Sequence, residues 1–253
     1  MVLDYARGLM VTLAEVGARS PMSRSNQTPV EFARSALAAV ADPSKANGMQ
    51  AYMKTDMPFY GVQKPGREVI LRELVAIFSP DDREEYEELV LSLWGLPHRE
   101  EKYLALGVAR HFGEFVTPSS LLLYRRLIVE GAWWDFVDEV ATKLIRRLVV
   151  EHPDRTWPLV DEWIDDDDIW LRRTAILCQI GAKERTDAER LFDFCARRAF
   201  EKEFFIRKAI GWALREHART DPEAVAHFVT EYRHQLSGVS YREATKHIGH
   251  LLA

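Results

Sequence analysis

Cysteine is scarce in this chain, which has only Cys178 and Cys195 in 253 residues. A disulfide-stapled scaffold or a cysteine-based zinc site needs more, so both are excluded and a reducing compartment, the cytoplasm, is expected. No apolar run approaches the roughly 18 residues of a membrane-crossing helix. The first 20 residues carry Asp4, Arg7 and Glu15 where an export signal would need an apolar core, so neither span nor export is expected. The 13 glycines and 11 prolines are too few for a collagen-like or low-complexity chain. Charge of one sign is missing too: 34 Lys and Arg face 39 Asp and Glu, for a net charge of −5. That excludes a protein basic over its whole surface, while a basic stripe on one face stays compatible with it.

What is present is an ordinary folding balance, 47% hydrophobic and 29% charged, which excludes disorder of the whole chain. At about 150 residues per domain, the length suits one domain or two small ones. The apolar spacing is helical nearly throughout: Leu71, Leu74, Val75 and Phe78 form one stripe, and Leu144, Ile145 and Leu148 another. No strand pairs joined by hairpin turns occur. Helix breaks fall at Ser79-Pro80-Asp81-Asp82, Leu96-Pro97, Thr117-Pro118-Ser119, His152-Pro153-Asp154, Asp165 to Asp168, Thr220-Asp221-Pro222 and Leu236-Ser237-Gly238. The fold class expected is all-α.

The intervals between breaks each hold about two short helices, and an internal period links them. Trp170-Leu171-Arg172-Arg173-Thr174-Ala175 aligns with Phe205-Ile206-Arg207-Lys208-Ala209-Ile210 at an offset of 35 residues. The same step reaches Ser240-Tyr241-Arg242-Glu243-Ala244-Thr245 in one direction and Trp133-Trp134-Asp135-Phe136-Val137-Asp138 in the other. Helix pairs of this length stack into α-solenoids, so a HEAT-like superhelix is expected, its concave face lined by the second helix of each pair. The stretch Ala18 to Pro29 is rich in Ser, Arg, Asn and Pro. A poorly ordered tail over residues 1–27 and a single repeat domain over 28–253 are therefore expected.

The period places Asp138, Arg173 and Lys208 at one position of three consecutive repeats, converging on the concave face. Trp134 lies one helical turn before Asp138 and Trp212 one turn after Lys208, so aromatic planes should accompany the charges. A packing role would account for solenoid aromatics, and a solvated face for the charges. Two details argue for a site: adjacent Trp133 and Trp134 point about 100° apart on a helix, so both can hardly be core, and an Asp stands in register with an Arg and a Lys. Arg172, Arg173, Arg207, Lys208, Arg215, Arg242 and Lys246 recur beside these positions as a candidate phosphate-binding stripe.

Other chemistries lack their residues. The eight histidines include no His-Glu-x-x-His pair, so no metal site is expected. The run Asp165 to Asp168 lacks the glycine and terminal glutamate of a calcium loop and is read as a helix cap. No phosphate-cradling glycine loop is present, so no nucleotide cofactor is expected, and the two cysteines are read as buried structural thiols.

Together these motifs resemble the DNA alkylation repair enzymes of the AlkD type, HEAT-like DNA glycosylases. The resemblance is carried by Tyr52-Met53-Lys54 with Pro58-Phe59-Tyr60-Gly61-Val62, and by Trp133 to Asp138 and Ile169 to Arg173. It continues through Glu203 to Glu216 and through Arg242-Glu243-Ala244 with Lys246-His247-Ile248, covering residue 51 to the end. It implies excision of cationic N3- and N7-alkylated purines from duplex DNA by hydrolysis of the N-glycosidic bond. It also implies that Asp138 is catalytic, that Trp134 and Trp212 contact the lesion nucleotide's backbone and sugar with Arg173 nearby, and that Tyr52 lines the cleft beside Lys54. The lesion would be engaged from its backbone side within the duplex, by a monomer needing no cofactor. A noncatalytic HEAT-like scaffold for DNA or protein is the alternative, with a hydrolase for another N-glycoside a more distant third.

Overall fold

The structure, a computed structural model, describes residues 27–252, so the tail expected over 1–27 lies outside it except for Gln27. The described chain is helical, with no strand, as the apolar spacing predicts. It falls into two compact units that divide between Phe115 and Val116.

The first unit contains α1 (Pro29–Ala39), α2 (Pro43–Met53), α3 (Lys64–Ile77), α4 (Arg83–Trp94) and α5 (Arg99–His111). Local chemistry starts them. Thr28 and Glu31 cap α1 reciprocally, with Pro29 in the first turn, and Asp42 and Asp82 accept the free amides of α2 and α4. Leu71, Leu74 and Val75 are buried, and Phe78 at the end of their stripe meets Phe32 of α1 edge-on, with ring centroids 5.9 Å apart.

Residues 58–62, the Pro-Phe-Tyr-Gly-Val stretch, are pinned by the start of α5. The fully buried Glu100 carboxylate accepts from the amides of Tyr60, Gly61 and Val62 at 3.1, 2.9 and 3.0 Å. Its neighbour Glu101 accepts from the Tyr60 hydroxyl at 3.0 Å. Gly61 adopts φ +85°, and a Cβ there would lie 2.0 Å from the Asp42 carbonyl oxygen, so only glycine fits.

The second unit is a run of helix pairs. Its first helices are α6 (Leu121–Gly131), α9 (Pro153–Trp163), α11 (Ala188–Arg197) and α13 (Pro222–Glu231). Its second helices are the segment opened by α7 (Trp134–Glu139), then α10 (Ile169–Leu177), α12 (Phe204–His217) and α14 (Gly238–Ala244). Their starts at 134, 169, 204 and 238 follow the period read from sequence, and successive second helices pack directly against one another. Equivalent residues fill equivalent places: Phe136, Leu171 and Ile206 are completely buried in consecutive repeats, each contributing about 1.5–3 kcal/mol. The acidic run caps as expected, with Asp168 accepting from the amides of Trp170 and Leu171 at the start of α10.

The segment opened by α7 departs from its counterparts. A π-helical turn, Val140–Ile145, follows α7 and leads into α8 (Arg146–Glu151), so the backbone is locally wider immediately after Asp138. Among the described residues, no helix is long and apolar enough to cross a membrane.

The clamp on residues 58–62 is directly testable. Glu100→Ala leaves three amides without an acceptor and costs roughly 3 kcal/mol or more, while Gly61→Ala, strained and clashing, costs roughly 3 kcal/mol. Denaturant unfolding measures both, and losses below about 1 kcal/mol for either would refute the clamp.

Candidate active site

The turn between α6 and α7 sorts the paired tryptophans. Ala132 closes α6 in the left-handed region at φ 40°, and Trp133 is extended before α7 begins. Trp133 enters an aromatic cluster with Trp170 and Phe205, at centroid distances of 6.0 and 5.4 Å. Trp134 stays half-buried, one turn from Asp138 on the same helix. Both tryptophans are half-buried, and Trp133 packs on two neighbouring rings.

Asp138 meets Arg173 across one repeat. Arg173 Nε donates to Asp138 Oδ1 at 2.8 Å and Nη2 to Oδ2 at 2.9 Å, a two-pronged bond that fixes the carboxylate's position and plane. The third guanidinium nitrogen donates to the Phe205 carbonyl at 2.5 Å, binding the next repeat as well. The Arg173 side chain is 6% exposed and that of Asp138 16%, so solvent reaches the pair on the carboxylate side. Burial pushes the Asp138 carboxyl above its usual range, Arg173 pulls it back, and Asp135 adds a smaller upward push.

Two repeats on, the same register position supplies a second pair. Lys208 Nζ donates to Glu243 Oε1 at 2.9 Å, and Arg215 Nη1 bonds the other oxygen, Oε2. Trp212, half-buried, lies between these cations in the sequence of α12. Three cations, Lys208 foremost and then Arg215 and Lys246, hold the Glu243 carboxyl below its usual range. Gly211 permits this proximity, since a Cβ there would lie 2.5 Å from Glu243 Cβ.

The remaining basic positions divide. Arg172 is turned inward, pairing with Glu201 at 3.0 Å and donating to the carbonyls of Asp166 and Asp167. Arg207 donates to the Glu201 carbonyl at 2.9 Å. Arg242 and Lys246 are exposed. Tyr52, 75% exposed, and Lys54, exposed in the left-handed cap that ends α2, belong to the first unit. Asp138, Arg173, Lys208 and Arg215 thus fall into two acid–base clusters, with Trp134 and Trp212 on the helices that carry them. Both cysteines are buried, and burial raises their thiols far above the ordinary range, so neither is a nucleophile.

Spacing alone passed over two features. Glu243 stands 35 residues after Lys208, so the period contained its signal. The π-helical turn after Asp138 has no comparable mark in residue type.

Comparison with known proteins identifies relatives of the whole fold. A protein described as a predicted DNA alkylation repair enzyme from Enterococcus faecalis is 27% identical and superposes with a TM-score of 0.76, covering 82% of this chain and 96% of its own. AlkD2 from Streptococcus mutans, 15% identical, shares the helical-repeat fold with a TM-score of 0.59 over 80% of this chain and 98% of its own. None of the curated proteins matches this chain. The family described as DNA alkylation repair enzyme matches residues 33–248, most of the sequence, and the chain belongs to that family.

Proposed function

We propose that this protein is a monofunctional DNA glycosylase that excises positively charged N3- and N7-alkylated purines from duplex DNA. The observation that carries the reading is the Asp138 carboxylate, held by the Arg173 fork with its open side toward solvent and Trp134 one turn away. A scaffold has no physical need of a carboxylate fixed in plane by an arginine fork one turn from a tryptophan.

The chemistry asks little more. An alkylated purine departs as a neutral base when its bond to C1′ breaks, so no strong general acid is required. Positive charge passes to the deoxyribose, and Asp138 stabilises that oxocarbenium-like centre more than the ground state. Water then bonds to C1′ and loses a proton, to Asp138 or solvent, leaving an abasic sugar. Trp134 and Trp212 flank the sugar and add about 0.5–2 kcal/mol each through cation–π attraction to the developing charge. Arg173, its nitrogens committed internally, acts as a positioning residue. Lys208, Arg215, Arg242 and Lys246 meet phosphates; Tyr52 and Lys54 are assigned to DNA contact by the resemblance alone. The protein works as a monomer in the cytoplasm, without metal or nucleotide.

The test is release of 7-methylguanine and 3-methyladenine from methylated duplex in the absence of metal. Wild type releases both, and Asp138→Asn loses roughly 10²–10³ in single-turnover rate while duplex binding and thermal unfolding show it folded. No release above spontaneous depurination by folded wild type overturns the reading in favour of a binding scaffold.

Asp138 must be ionised to act, so the rate rises with pH as it deprotonates. Because burial raises its pKa, the acid limb of the single-turnover profile falls above the ordinary aspartate range. Arg173→Lys keeps the charge but loses the fork, moving that limb closer to neutrality and lowering kcat more than it changes KM. A limb at or below the ordinary range in wild type, or one unmoved in Arg173→Lys, contradicts this assignment.

A further inference from the structure

Glu243 lies between two cations of α12. Each of its carboxylate oxygens holds a separate cation, Lys208 on one side and Arg215 on the other. All three side chains are partly open to solvent: 39% for Lys208, 21% for Arg215 and 27% for Glu243. Two cations around one anion, reachable from outside, is the arrangement two basic side chains make around a DNA phosphate. The contact is built into the packing, because α14 approaches α12 at Gly211, where a Cβ would lie 2.5 Å from Glu243 Cβ and 2.9 Å from the Ser240 carbonyl oxygen. Ser240 Oγ also donates to the Arg207 carbonyl at 2.9 Å, fixing the start of α14 on α12.

We propose that Glu243 is an internal phosphate surrogate, competing with the DNA backbone for Lys208 and Arg215 and weakening the grip on undamaged duplex. This rests on the repair reading. Backbone charge is the same at every nucleotide, so a protein that held it at full strength would linger on intact DNA. With Glu243 in place the trio presents one net positive charge instead of two. A phosphate can recruit the cations only by displacing a carboxylate already bonded to both. Intact duplex is therefore released readily, and lasting engagement depends on further contacts at the lesion.

The experiment is equilibrium binding of undamaged, fluorescent duplex over a range of salt concentrations. It compares wild type, Glu243→Gln, and Glu231→Gln, which removes the same charge from an exposed residue of α13. Glu243→Gln binds several-fold more tightly at low salt, and its slope of log affinity against log salt steepens by about 0.9. Undamaged competitor duplex then inhibits its base release at lower concentration, and Glu231→Gln tracks wild type in both assays. Should Glu243→Gln prove unfolded by circular dichroism, Glu243→Ser makes the same charge change with a smaller side chain and the same expected slope. A folded variant whose affinity and slope equal wild type, or whose binding is weaker, overturns the role of Glu243 alone, as does a Glu231→Gln that steepens equally. Wild type without salt-dependent binding to duplex overturns the repair reading and this inference together.

Discussion

A carboxylate taken out of water loses several kcal/mol of hydration, and at Asp138 the Arg173 guanidinium offsets part of that loss within the repeat stack. The fork spans one repeat, and the third nitrogen of Arg173 spans another by reaching the Phe205 carbonyl. Three consecutive repeats must therefore stay in register for one charge to stay in place. The regular spacing of the second helices, their direct packing and the identical burial of Phe136, Leu171 and Ile206 all serve that alignment. Within this unit, the architecture and the site share a single geometric requirement.

In the proposed glycosylase reaction the same requirement lets few groups suffice. Bond cleavage in a cationic alkylpurine nucleotide creates no new charge; it moves an existing one from base to sugar. A catalyst for such a step must discriminate by place, not by amount. Freely swivelling carboxylates follow charge wherever it goes and favour neither end, whereas a carboxylate locked in plane and position favours one. Arg173 makes the pair nearly neutral and yet directional. Its task in the proposed reaction is therefore positioning, despite its charge.

Much of this was legible in the sequence, for identifiable reasons. Proline and acidic caps act locally, so the breaks at Pro153, Asp168, Asp221-Pro222 and Ser237 mark real helix starts. A repeat of 35 residues converts distance along the chain into adjacency in space, so residue spacing by itself pairs Asp138 with Arg173. Less visible was the fate of the basic stripe. Periodicity grouped Arg172, Lys208 and Arg215 as cations, but whether a cation faces solvent or a carboxylate depends on partners such as Glu201 and Glu243, brought close by packing. The separation of Trp133 from Trp134 likewise depends on a backbone turn at Ala132, which adopts a left-handed conformation without glycine.

The π-helical turn after Asp138 gives the site a phase of its own. Along an ordinary helix each residue advances the screw by about 100°, so the end anchored in the core dictates where every earlier side chain points. Residues 140–145 break that rule by absorbing roughly one residue's worth of rotation. The well-packed stretch from Arg146 onward and the stretch bearing Trp134 and Asp138 can then each take the azimuth their surroundings demand. Losing a single residue between them would leave composition, charge and repeat count almost untouched while swinging the carboxylate out of Arg173's reach. Similar chains could thus carry every named residue and still have the site dialled out of alignment.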